Sequence, residues 1–196
     1  MNNETIRSFI AIELPAELVA RLKNLQDRLS SSRPRFVKWV DPGSIHLTLK
    51  FLGNVDANRL EAVKGALEAV TVPHRPFQLI TGQTGFFPGL QRARVFWLGL
   101  EGDIAELSDL QRGIDSAMAA LGFESESRPF TAHLTLARLR EECSREQRLE
   151  FSGLAQHVAF VSGPPIKVRS VSLMRSRLTP QGAVYTRLAE YELKGV

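Results

Sequence analysis

The tetrapeptide His-Leu-Thr-Leu occurs twice, beginning at His46 and again at His133, 87 residues apart in a chain of 196. The chain has four histidines, and two of them open this motif. Treating positions as independent, a histidine is followed by Leu-Thr-Leu roughly once in a thousand times. Two cases in four therefore point to duplication. A repeat of nearly half the chain constrains the fold strongly: each copy must form the same substructure, and the two must pack as pseudo-equivalent halves. Phe9 and Phe96 extend the match, each standing 37 residues before its histidine.

The elements around the motif run alike in both halves. Residues 7–14 are rich in β-formers and stop at Pro15, and 15–29 repeat Leu18, Leu22, Leu25 and Leu29 at helical spacing. After a polar loop at 30–34, residues 36–40 read as extended, Asp41-Pro42-Gly43 as a turn and 45–52 as a strand. A helix is expected over 57–70 and a strand over 77–84. The second half gives a strand at 94–100 and a helix at 104–121 with Gly122 as its C-cap. A strand at 131–139 and a helix over 142–160 follow, then a hairpin of 168–175 with 184–193, turned across residues 179–182. Each copy thus reads strand, helix, strand, helix, strand.

Composition removes several classes. Hydrophobic residues are 43% and charged residues 23%, which supplies enough apolar mass for a core and argues against disorder. No apolar run reaches the roughly 20 residues of a membrane span, and the polar start does not read as a secretory signal. Cys143 is the single cysteine, so an internal disulfide and a cysteine-rich metal site are excluded. A cytoplasmic, monomeric protein is the expectation. The net charge of +4 permits a polyanionic partner without demanding one.

The motif carries the chemistry. In a strand, residues i and i+2 share a face, so His46 and Thr48 point one way and Leu47 and Leu49 the other; His133 and Thr135 repeat the arrangement. Related by a pseudo-two-fold axis, the two faces place two imidazoles and two hydroxyls around one space. That set suits displacement at phosphorus: one histidine takes a proton from the attacking water and the other gives one to the departing oxygen. The threonines can donate to the non-bridging oxygens. A single His-x-Thr pair is usually ordinary sheet surface, and a histidine there can also ligate metal. The duplication disfavours the first reading. The lack of a His/Asp/Glu cluster near either motif, with threonine a poor ligand, disfavours the second. His74 and His157 lie outside the repeat and read as surface residues.

These stretches resemble the two-histidine (2H) phosphoesterase superfamily, marked by paired His-x-Thr/Ser-x motifs. Within it the chain is most similar to the RNA 2',3'-cyclic phosphodiesterases, also called 2'-5' RNA ligases. The matching segments are residues 7–15, 39–53, 128–138 and 176–185. One departure is Thr131-Ala132, where many relatives carry a proline. The resemblance implies a single bilobal α+β domain over 1–196, a pseudo-two-fold duplication with an antiparallel sheet and flanking helices in each lobe and a cleft between them. It implies hydrolysis of 2',3'-cyclic RNA ends to a 2'-phosphate without a metal or other cofactor, and a reversible, ATP-independent 2'-5' joining of RNA ends. RNA ends or small nucleotides would be the partners, with no membrane. By carry-over His46 is the proton donor and His133 the acceptor, while Thr48, Thr135 and Arg138 hold the phosphate. Strict alternation would turn Arg138 off the site. Phe51 occupies the slot equivalent to Arg138 and reads equally as a base-stacking residue or a core phenylalanine; Arg128 reads as a phosphate contact or a solvated arginine. Two other functions remain open: a cyclic phosphodiesterase acting on small nucleotides or 2'-5' linkages, and a non-catalytic RNA-binding module.

Overall fold

The computed structural model describes residues 4–30, 34–158, 160–180 and 182–196. Its elements are β1 (Thr5–Glu13), α1 (Ala16–Ser30), β2 (Val37–Trp39), β3 (His46–Asp56), α2 (Leu60–Thr71), β4 (Phe77–Phe87), β5 (Val95–Gly102), α3 (Ile104–Ala120), β6 (His133–Leu139), α4 (Arg145–His157), β7 (Ile166–Val168), β8 (Ser170–Thr179) and β9 (Gly182–Glu192). All the expected elements form. The last helix begins later than its apolar pattern suggests, because Ser144 caps it: the Ser144 hydroxyl accepts from the Gln147 amide, and the Gln147 side chain closes the box. The C-terminal end of that expected helix includes Ala159, and the hairpin turn includes Gln181, both outside the described residues, as are residues 31–33 of the expected polar loop. Gly122 ends α3 with a positive φ of 83°, as the C-cap requires. The short strand β7 is new; it pairs with the start of β4.

Among the described residues the strands form one sheet in the order β7-β4-β5-β6-β3-β1-β8-β9, with β2 also paired to β6 and each pairing antiparallel. The order is itself pseudo-symmetric about the β6–β3 junction. There Leu47 pairs with Leu134, the same position in the two copies. A long strand after the second helix of each copy crosses to the other lobe: β4 pairs with β5, and β8, which follows the short β7, with β1. Each lobe is therefore built from both halves of the chain.

The helices cover one face. Leu18, Leu22, Leu25 and Leu29 of α1, Val63 and Leu67 of α2, Leu107, Leu110, Ile114 and Met118 of α3, and Phe151 of α4 share one core with Leu47, Leu49, Leu134 and Leu136. The motif leucines thus bury against the helix layer, and the His and Thr side chains are left to the uncovered face.

Candidate active site

A bulge in each lobe shapes this face. On β1, Ile10 pairs with Lys50 and Ala11 with Thr48, so Leu49 is skipped; on β5, Phe96 pairs with Ala137 and Trp97 with Thr135, so Leu136 is skipped. The irregularity falls at equivalent positions. An extra residue resets the alternation beyond it. Leu49 and Lys50 are consecutive buried residues, as are Leu136 and Ala137, and Phe51 and Arg138 then emerge exposed. Phe51 and Arg138 therefore lie on the same face as the histidines. Strict alternation misplaced Arg138 because it contained no bulge, and Phe51, 67% exposed, is not a core phenylalanine.

Each skipped leucine offers its carbonyl to a buried glutamine of the helix layer. Gln26 Nε2 on α1 donates to Leu136 O at 2.9 Å and to Val40 O at 2.8 Å; Gln111 Nε2 on α3 donates to Leu49 O at 3.4 Å. The helix of one copy supports the bulge of the other.

The pairing of Leu47 with Leu134 sets His46 across from Thr135 and Thr48 across from His133. The four motif side chains therefore form one compact group astride the pseudo-axis. Both imidazoles are anchored in the same way: His46 Nδ1 donates to Ser44 O at 2.8 Å, and His133 Nδ1 donates to Thr131 O at 2.7 Å. A carbonyl only accepts, so the proton sits on Nδ1 of each neutral ring and Nε2 is the nitrogen free to exchange protons.

The surroundings of the two rings differ. Phe9 stacks on His46 with centroids 4.6 Å apart, and Tyr185 meets it edge-on at 5.1 Å. Burial lowers the His46 pKa, partly opposed by the Ser44 carbonyl and by Glu13. His133 is flanked by Phe87 at 5.0 Å and Trp97 at 6.4 Å. The Trp97 indole lies over Gly85 and Gly99, and a Cβ at Gly85 would run into the ring. The match of Phe9 with Phe96 does not hold in three dimensions. The ladders equate Phe9 with Val95, one residue earlier, because Phe9 opposes Phe51 and Val95 opposes Arg138. Phe96 consequently faces the core, stacked on Phe86.

Beside His46 opens a cavity of about 900 Å³ lined by Glu13, Ser44, Met174, Tyr185 and Arg187 among others. Glu13 Oε1 accepts from Arg187 Nε at 2.7 Å and from Ser172 Oγ at 2.6 Å. None of Glu13, Tyr185, Arg187 and Trp97 was singled out from the sequence. The alternation Phe9, Ala11, Glu13 puts Glu13 on one face of β1, but only the pairing with β3 shows that this is the histidine face. Arg128 is not brought into the group; it is exposed in the loop before β6 and pairs with Glu126. His157 bonds its own helix at Gly153 O, and His74 lies in the loop after α2. Among the described residues no group of three or more His, Cys, Asp or Glu is placed to hold a metal, and no helix is long and apolar enough to cross a membrane.

The sequence model of the family described as LigT like Phosphoesterase matches residues 12–97 and again 98–185. The chain belongs to the LigT-like phosphoesterases. The double match reproduces the duplication read from the two motifs. An RNA 2',3'-cyclic phosphodiesterase of Methanothermobacter thermautotrophicus is 35% identical over 96% of this phosphoesterase and 99% of its own length. A crystal structure of a Thermus thermophilus protein superposes with a TM-score of 0.77 at 28% identity, covering 97% of this chain and 99% of that one. Escherichia coli LigT complexed with 3'-AMP gives a TM-score of 0.70 at 28% identity, with 97% and 99% covered.

Proposed function

We propose that this phosphoesterase hydrolyses 2',3'-cyclic phosphate ends of RNA to a 2'-phosphate, using the two histidines as its acid and base. The observation that carries the reading is the pair of imidazoles, each fixed through Nδ1 to a backbone carbonyl and each beside a threonine of the other copy. The activity named for the relative from Methanothermobacter and the mononucleotide held by the Escherichia coli structure support the substrate class.

In this reading water attacks phosphorus and its proton passes to Nε2 of His133. The bond from phosphorus to the 3'-oxygen breaks, and that oxygen takes a proton from Nε2 of His46. The product carries a 2'-phosphate and a 3'-hydroxyl, and solvent exchange resets both rings. His46 must arrive protonated although burial disfavours its charge; the substrate's own anionic phosphate supplies the opposing field. Thr48 and Thr135 donate to the non-bridging oxygens, and Arg138, turned onto the histidine face by its bulge, adds a charge-assisted contact. The cavity beside His46 has the size of a nucleoside site, with Phe51 placed to stack on an adjoining base. The same displacement with the 5'-hydroxyl of a second RNA in place of water gives 2'-5' joining: His133 takes the hydroxyl proton, the bond to the 3'-oxygen breaks, and His46 protonates that oxygen. Both proton transfers are met by histidines, so the reaction needs no metal.

The test is incubation with an RNA bearing a 2',3'-cyclic phosphate in the presence of EDTA, followed by identification of the end formed. A 2'-phosphate is expected. A 3'-phosphate, or turnover abolished by EDTA and restored by a divalent ion, refutes the reading. Faster turnover of a 2',3'-cyclic mononucleotide than of the RNA would shift the assignment to small nucleotides.

A further inference from the structure

Among the positions at which the two copies differ around their histidines, one brings a charge: the ladder position directly opposite the ring. The β1 partner of His46 is Glu13, whereas the β5 partner of His133 is Gly99. Directly opposed residues share a face with Cβ atoms about 4.5–5.5 Å apart, so a carboxylate stands alongside one imidazole and no side chain stands at the matching position alongside the other. Glu13 is also held in place. Arg187 grips both of its oxygens, Nε to Oε1 at 2.7 Å and Nη2 to Oε2 at 3.1 Å, and Ser172 donates to Oε1. Burial alone would raise the Glu13 carboxyl, but the hydrogen bonds from Arg187 and Ser172 hold it below the usual carboxylate range, so it is charged at neutral pH.

The other groups facing His46 leave this pair as the adjustable charge. From β9 come Tyr185, Arg187 and Glu190, and Glu190 is itself bound to Arg187. From the turn before β3 come the Ser44 carbonyl on Nδ1 and Asp41, whose carboxylate is turned onto the Gly43 amide of its own turn. From β1 comes Phe9, and from β6 Thr135 with His133 beyond it.

We propose that Glu13, clamped by Arg187 and Ser172, is a positioning residue that favours the proton on His46 and so gives this ring, and not its pseudo-symmetric twin, the donor's part. The inference rests on the two-histidine reading above and assigns its two roles from the difference between the ladder partners of the two rings, Glu13 for His46 and Gly99 for His133. Glu13 is not a catalytic residue: its effect passes through His46. Burial of the ring and the carboxylate beside it act in opposite directions, and Arg187 moderates the carboxylate.

This arrangement predicts effects of opposite sign from two substitutions, which a merely structural role does not produce. The assay is an NMR titration of the Cε1–H signals of His46 and His133 in the substrate-free protein. In Glu13→Gln the His46 midpoint should fall by at least about 0.5 pH unit, since a nearby opposite charge is lost. In Arg187→Gln it should rise, because Glu13 is left uncompensated. The double variant should fall between the two single ones, because it loses both the carboxylate and the opposing cation; Glu13→Asp should restore most of the midpoint, and His133 should stay where it was throughout. The limb of the pH–rate profile that reports the proton donor should move with the His46 midpoint. An unmoved His46 midpoint in Glu13→Gln, shifts of the same sign in both variants, or a His133 shift as large as that of His46 would overturn the proposal. Because the titration needs no turnover, such a result leaves the two-histidine reading standing, whereas full activity in His46→Ala or His133→Ala would remove that reading first.

Discussion

Replacing Gln26 by Met tests whether the helix layer sets the geometry of the site. Met keeps the length and the helix preference of Gln, so α1 itself should be unaffected. The substitution deletes two buried hydrogen bonds, to Val40 O at 2.8 Å and to Leu136 O at 2.9 Å, from a side chain only 5% exposed. Leu136 O keeps a second donor, the Val40 amide at 3.0 Å, so its loss is about 1 kcal/mol. Val40 O has no other donor among the described residues, and an orphaned carbonyl costs about 1–3 kcal/mol. Burying the thioether in place of the amide returns up to about 1 kcal/mol. The net loss is about 1–4 kcal/mol, or about 2–16 °C in melting temperature for a chain of this size. Gln111→Met deletes one long bond of 3.4 Å to Leu49 O and should cost clearly less. Thermal melts of both variants, with kcat/KM measured alongside, decide the matter. Gln26→Met should also lower kcat/KM, since the bulge it supports aims Arg138 at the cleft. A Gln26→Met protein that melts with the wild type, or a Gln111→Met protein that melts lower than Gln26→Met, would refute the reasoning.

Thr48→Val and Thr135→Val keep the β-branched shape and delete one donor each; each should lower kcat by less than the neighbouring histidine variant, with both pH limbs in place, and pH–rate profiles will show whether a limb disappears instead. Arg138→Ala should raise KM for a cyclic-phosphate RNA several-fold while Phe51→Ala weakens RNA more than a mononucleotide, a contrast read from the two substrates side by side. Because burial depresses the His46 pKa from 6.5, the unfolded chain takes up that proton first: stability is fully present above pH about 6.5 and is lost as pH falls through the depressed value. His46→Asn should flatten this slope in urea denaturation between pH 7 and 5, and an unchanged slope would show that other groups cause it. Asp115→Ala leaves the buried Lys50 ammonium without its ion pair and should cost about 3 kcal/mol, measured by the same denaturation.

The sequence exposed what depends on local pattern and on repetition. The motif leucines, the helical leucines of α1 and the apolar face of α3 follow from periodicity alone, and the duplication makes His46, Thr48, His133 and Thr135 visible together. What escaped depends on pairing between distant strands. A bulge is invisible in a period-2 pattern, so the outward turn of Arg138 was legible only through family resemblance and that of Phe51 only as one of two readings. The slip between Phe9 and Phe96 has the same origin: one residue of register exchanges cleft for core. Glu13, Tyr185 and Arg187 come from strands far apart in the chain, and their meeting at His46 follows from β8 and β9 extending the first lobe beyond β1. Lys50 reads as a surface lysine in a strand, yet it is 5% exposed and bound to Asp115 and the Glu124 carbonyl, because the bulge turns it inward.

The central claim is that His46 and His133 act as one acid–base unit, and pH–rate profiles of the single and double alanine variants on a 2',3'-cyclic-phosphate RNA test it most directly. The wild-type profile should be bell-shaped. Each single variant should lose at least about a hundredfold in turnover together with one limb, and the double variant should be little worse than either single one, because partners in a unit are not additive. His157→Ala should match the wild type. A single variant within about tenfold of wild type, or a double variant whose loss is the product of the two single losses, would contradict the account.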